Sequence, residues 1–148
     1  MNNVSAQGLT LLIKASKTFP AGFQVSVFAD DVDPFDIEDL NVAEAAMDMN
    51  GNMRTWSTPQ PQPMAIAVLP GSDEDNNLTV LLEANTPSKG RMPANDVITI
   101  VGMYGNGKRV TAREGVILGG SRGMSVASAG RLKSKAYNFV FQTFDIGR

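Results

Sequence analysis

Cysteine and histidine are both missing from these 148 residues. Without cysteine there are no disulfides and no thiolate metal sites. Without histidine as well, most nucleophile–base pairs and most zinc sites cannot be built. Carboxylate pairs and lysine chemistry remain, but no motif organises them, so neither a catalytic residue nor a cofactor site is expected. No apolar run is long enough to span a bilayer. The N-terminus MNNVSAQGLTLLIKAS has no basic segment before a long apolar core, so no secretory signal is expected. Aromatic residues are few: one Trp, two Tyr and seven Phe. Methionine, by contrast, occurs eight times. It fills irregular gaps and adapts to contact surfaces.

The stretch GMYGNGKR (102–109) has Gly102, Gly107 and Lys108 at the spacing of a phosphate-binding loop. That motif needs Ser or Thr after the lysine, and here the residue is Arg109. It must also open a helix, whereas the flanks DVITIVGMY and KRVTAREGVI are rich in β-branched residues and read as strands. The alternative is a hairpin turning at Asn106-Gly107, a strong two-residue turn signal. It predicts Met103 opposite Val110, Val101 opposite Ala112, and Tyr104 opposite Arg109; a three-residue loop would instead put Met103 opposite Arg109 and Gly102 opposite Val110, which sorts apolar from polar less well.

Period-two alternation predicts strands at 9–16 and 23–29, joined by a turn at FPAG, and a strand at 64–70. The stretch 30–40, with six acids and Pro34, reads as an exposed loop. Its carboxylates suggest calcium, but the EF-hand spacing is absent. The stretch 41–57 reads as a hairpin turning at Asn50-Gly51-Asn52, with Met49 opposite Met53, Asp48 opposite Arg54, Met47 opposite Thr55 and Ala46 opposite Trp56. Ala43, Ala45, Met47 and Met49 form its core face. TPQPQP (58–63) is a stiff connector. One helix is expected, over about residues 73–84: Ser72 caps it, Asp73, Glu74 and Asp75 suit its positive end, and Leu78, Leu81 and Leu82 form its stripe. Residues 86–95 and 119–130 read as loops. The last strand places Tyr137, Phe139 and Phe141 on one face. The chain is therefore expected to be one domain over 1–148, mainly β: an antiparallel β-sandwich or curled barrel with one flanking helix.

The net charge of −2 hides a polarity. Residues 1–85 hold 12 acids and 3 bases, and residues 86–148 hold 3 acids and 10 bases. One copy's acidic surface can thus meet another's basic surface, which in a head-to-tail contact builds rings or filaments. Asp30, Asp31, Asp33 and Asp36 are candidates on one side; Lys89, Arg91, Lys133 and Lys135 are candidates on the other. A nucleic-acid-binding β module is a rival, carried by Arg131, Lys133, Lys135 and Tyr137, although the nearby Phe residues alternate as core. A carbohydrate-binding sandwich would need aromatic platforms, for which only Trp56, Tyr104 and Tyr137 are available. A carboxylate enzyme would have Glu44 and Asp48 without a partner motif.

Several phrases together, PGSDEDNNLTVLLEAN, DVITI, GGSRGMSVASAGRLKSKAYNFVFQTF and FDIEDLNVAEAAMDMNGNMRTWS, resemble tail tube proteins of contractile-tailed bacteriophages over about residues 9–144. The resemblance implies a virion protein whose hexameric rings stack head to tail. Strands of each subunit join one barrel around a lumen that passes DNA. Tail sheath and baseplate or tail-end proteins would be partners, and the host cytoplasm the site of assembly. Related tail-end, baseplate or secretion-tube roles stay open. On this reading Glu44 and Asp48 of the 41–57 hairpin face the lumen, where an acidic wall repels DNA.

Overall fold

The computed structural model describes residues 8–29, 34–123, 125, 126, 128 and 130–147. Among these residues, nine strands and one helix follow in the order β1 Thr10–Ala15, β2 Phe19–Val25, β3 Phe35–Ile37, β4 Ala43–Met47, β5 Met53–Ser57, β6 Gln62–Val68, α1 Asp73–Ala84, β7 Ile98–Met103, β8 Arg109–Gly120 and β9 Lys135–Gly147. Seven strands form one antiparallel sheet in the order β2-β1-β7-β8-β9-β6-β3, and β4 and β5 form a separate two-stranded ribbon. The predicted mainly β fold with one helix is what the chain adopts, but the large sheet is not closed into a barrel.

Alternation explains the core. Leu11, Ile13 and Ala15 of β1, Met64, Ile66 and Val68 of β6, Ile98 and Ile100 of β7, and Tyr137, Phe139 and Phe141 of β9 all point inward into a single cluster. Strands far apart in sheet order share that cluster, so the sheet curls around it. Phe35 on the β3 edge reaches across to within 3.7 Å of where a Cβ on Gly102 of β7 would lie. The helix adds Leu78, Leu81 and Leu82 to the same core and packs against β2 and β8. Ser72 caps it as expected, accepting the Asp75 amide at 3.2 Å.

Both expected hairpins form, each with a register different from the predicted one. In the β7–β8 hairpin Gly102 faces Val110, Met103 faces Arg109 and Val101 faces Thr111. The loop is three residues, Gly105–Gly107, closed by Tyr104 N–H to Lys108 O at 2.9 Å, with Gly107 at φ +88°. The β4–β5 ribbon turns the same way: Asp48 N–H bonds Asn52 O at 2.9 Å, Gly51 sits at φ +83°, and Met47 rather than Met49 faces Met53. In both, glycine takes the left-handed position that ends a three-residue loop, so Asn106-Gly107 is not the central pair of a two-residue loop, and the ribbon's loop lies at 49–51 rather than at the expected 50–52.

Other boundaries shift as well. The β1–β2 turn lies at Ser16–Thr18, and Pro20 and Gly22 fall within β2, an edge strand where proline costs no ladder bond. Phe35–Ile37, read as loop, pairs with β6, and the stiff connector ends early because Gln62 and Pro63 already belong to that strand. The expected core face of the ribbon is not buried: Ala43, Ala45, Met47 and Met49 are all exposed, because the ribbon stands outside the curled sheet.

Gly115, beside a bulge opposite Thr99, is where β8 passes Phe141 of β9. A Cβ there would lie 2.1 Å from the Phe141 ring and 2.8 Å from the Val140 carbonyl. Gly115→Ala is expected to destabilise the fold by about 1–3 kcal/mol through overpacking. Gly119→Ala, where an added Cβ meets nothing within 4 Å, should stay within about 0.5 kcal/mol. Urea denaturation of both variants checks the contrast.

Candidate assembly surface

The ribbon carries the chain's most unusual surface. Opposite residues of an antiparallel pair share a face. The register therefore gathers Ala43, Ala45, Met47, Met53, Thr55 and Ser57 on one side, and Glu44, Ala46, Arg54 and Trp56 on the other. The first side has no charge. Met47 and Met53 are 66% and 65% exposed, and Trp56 on the second side is 47% exposed. A lone two-stranded ribbon is marginal in water, and this one buries neither face.

Glu44 lies exposed opposite Trp56. Asp48 sits in the turn, where its Oδ1 accepts the amides of Asn50 and Asn52, each at 2.9 Å, and its Oδ2 lies 3.9 Å from Arg54 Nε. Asp48 thus shapes the turn, and Arg54 brings a positive charge to the face that Glu44 occupies.

The charged candidates for stacking divide. Asp30, Asp31 and Asp33 lie outside the described residues. The residues that flank them, Ala29 and Pro34, both hydrogen-bond the backbone of Ala67 on β6. Asp36 is exposed on β3. Lys89, Arg91 and Lys133 are exposed too. Arg91 donates to the Glu83 carbonyl, and Arg122 grips the Glu83 carboxylate at 3.0 and 3.2 Å. The arginine hydrogen bonds hold the Glu83 carboxyl below its ordinary pKa and Arg122 above its own. These contacts place cations from two loops at the negative end of a helix whose own last turn has none.

Lys135 does not belong to that surface. It is 4% exposed, and its ammonium lies 3.2 Å from Asp75 Oδ1 and 2.9 Å from Thr79 Oγ1. Tyr137 completes the group, donating to Asp75 Oδ1 at 2.9 Å. Burial opposes the charged amine of Lys135, but hydrogen bonds with Tyr137 and Asp75 and their charges outweigh it and leave its pKa raised. Burial pushes the Tyr137 hydroxyl up. Asp75 and Lys135 are 60 residues apart, so sequence reasoning saw one as a helix-end acid and the other as a surface cation. The only local hint was that Lys135 shares the alternation of Tyr137 and Phe139.

A second buried carboxylate, Asp96, ties three segments together. Its Oδ1 accepts the amides of Lys17 at 2.8 Å and Thr18 at 3.0 Å, and its Oδ2 accepts Asn85 Nδ2 at 2.9 Å and the Thr18 hydroxyl. Burial raises the Asp96 pKa, but the hydrogen bonds from Thr18, Asn85 and the two amides prevail and hold it below the usual carboxylate value. A carboxyl depressed in the folded state adds stability above its unfolded pKa of about 3.9 and loses it as pH falls through the folded value. Thermal melts from pH 7 to 2 are expected to show wild-type stability falling below about pH 4, with a shallower fall in Asp96→Asn from a lower starting stability. Parallel curves would contradict this role.

On the described residues, no helix is long and apolar enough to cross a membrane. A profile of the family described as "Tail fiber protein gp32" matches residues 2–145. No curated protein matches the sequence. Among solved structures, a chain in the cryo-EM structure of the anti-feeding prophage baseplate, six-fold symmetrised, is similar in fold: TM-score 0.57 at 11% identity, covering 99% of this chain and 95% of that one. A chain in the structure of the same particle's tube-terminating cap gives 0.54 at 11% identity over 99% and 93%. A chain in the sheath/tube terminator of an extracellular contractile injection system, in its extended state, gives 0.54 at 11% identity over 100% and 99%.

Proposed function

The chain belongs to the tail fiber protein gp32 family, and from that phage-tail-like premise we propose that it is the ring-forming subunit of a contractile tail's inner tube. Six copies form each ring, rings stack into the tube, and the genome leaves through the lumen. The observation that carries this reading is the β4–β5 ribbon, which leaves the body with both faces exposed and needs a neighbouring copy to cover it. The likeness of the body to chains in baseplate, cap and sheath/tube-terminator structures supports a tube-region protein over a fibre, although the family's description speaks of a fibre. Sheath and baseplate proteins are the partners that this position entails, and the virion tail is the location.

In this reading the face of the ribbon with Glu44 lines the channel, and Asp48 stands at its end. Arg54 offsets one of the two carboxylates, so each subunit adds a weak negative charge to the wall. That repels DNA enough to prevent adhesion. Lys89, Arg91 and Lys133 meet acidic residues such as Asp36 of another copy, and Lys135 serves the interior. A second reading, a tail-end or baseplate subunit, is favoured by the likeness to the baseplate and cap chains.

Electron microscopy of the purified chain at increasing concentration, read beside sedimentation velocity, tests the proposal. Six-fold rings or rods are the expected result, with the Glu44 face toward the lumen in a reconstruction. A folded monomer that persists at high concentration overturns it. Closed single rings that never stack favour the tail-end reading.

A further inference from the structure

The outer face of the large sheet holds a groove of about 390 Å³, lined by Glu38, Pro63, Met64, Leu118, Asn138 and Phe139. It opens beside Gly119, where β8 bulges against β9 and an added Cβ would meet nothing within 4 Å. Val116 stands opposite Val140, and Val140 stands opposite Pro63, so an apolar row crosses β8, β9 and β6 next to the groove. Leu118 is 65% exposed at its edge. Met64 and Phe139 are buried in the core, so the groove presents an exposed apolar rim of Pro63 and Leu118 with Glu38 and Asn138 as its polar members. The same chain thus carries two exposed surfaces with apolar character, this groove with its flanking row and the uncharged side of the ribbon.

The two do not meet within one copy. The ribbon's connectors, 38–42 and 58–61, join the body at Glu38 and at Gln62-Pro63, and Glu38 and Pro63 are walls of the groove. To lie in it, the ribbon would have to double back at its own root. There Pro59 and Pro61 fix φ and stiffen the chain. A second copy has no such constraint. We propose that the uncharged face of the β4–β5 ribbon, led by Met47 and Met53, docks face-on over the groove beside Leu118 and Gly119 of a second copy of this chain. Methionine suits this contact because its unbranched side chain adapts to an irregular cleft. A charge-free ribbon face loses little on desolvation there. This inference rests on the reading of the chain as an assembling subunit, and it names the contact.

Absence of cysteine makes the test free of background. Met47→Cys and Leu118→Cys are introduced together, and separately as controls, and treated with a short bismaleimide after assembly is checked by sedimentation. The expected result is a ladder of dimers and higher multimers on denaturing gels from the double variant, at least tenfold stronger than from either single variant. Met53→Cys with Val116→Cys repeats the test should the first pair perturb assembly. Assembled particles that give no ladder with either pair overturn the docking contact while leaving the tube reading intact. A link formed only within one chain, identified by mass spectrometry, assigns the groove to the chain's own ribbon and also overturns it. Failure of the wild-type chain to assemble removes the functional reading, and this contact with it.

Discussion

A two-stranded ribbon cannot bury its own faces, and this constraint divides the molecule in two. Seven strands escape it by curling, so that β1, β6, β7 and β9 meet over one core with the helix leucines added. Among the described residues, β4 and β5 have no third strand and no helix above them. Full burial of a methionine contributes about 1.5–3 kcal/mol, and Met47 and Met53 stand largely outside the fold. That free energy is available to whatever covers them. In the proposed ring, each copy would both supply a ribbon and cover one.

The body is fastened so that it can hold such a projection. Asp75, Thr79, Lys135 and Tyr137 join the helix to β9 through hydrogen bonds and an ion pair inside the protein. Removing one member of such a pair leaves the other charge buried and unmatched, at a cost of about 3–5 kcal/mol. Asp96 does similar work at the far end of the helix, where it collects the β1–β2 turn and the helix cap residue Asn85. The ribbon's root at Glu38 and Gln62 is set by the same logic: Gln62 Nε2 donates to the Glu38 carbonyl at 2.6 Å, so the two connectors leave the sheet together. The charged loops are less rigid fasteners, since solvent screens exposed pairs such as Arg122 with Glu83.

Much of this was legible in the amino-acid order, and the failures have physical causes. Helix 73–84 was readable because its cap, its first-turn acids and its leucine spacing agree with one another. The strands of the core announced themselves by alternation, Tyr137, Phe139 and Phe141 most plainly. The two hairpin registers differ from the reading for separate reasons. At β7–β8 Asn-Gly serves a three-residue loop rather than a two-residue one. In the ribbon the three-residue loop lies at 49–51, one residue earlier than read, because Gly51 takes the last loop position rather than the central one. At β7, Gly102 also took an inward position that reads as empty, while the apolar Met103 pointed outward. The ribbon was recognised as a hairpin, yet its methionines read as core because an alternating apolar face looks the same in sequence whether the fold buries it or leaves it exposed. Lys135 read as surface because its partner Asp75 lies on a distant element. β3 was hidden in an acidic stretch, where Phe35 and Ile37 were outvoted by their neighbours.

The account turns on the claim that the ribbon owes its stability to a neighbouring copy. Hydrogen–deuterium exchange, followed residue by residue in the unassembled chain and in assembled particles, addresses it directly. Amides of 43–47 and 53–57 should exchange within seconds in the single chain and become strongly protected on assembly, while β1, β7 and β9 stay slow in both. Ribbon amides that are already protected in the single chain, or that remain fast in the particle, would contradict it.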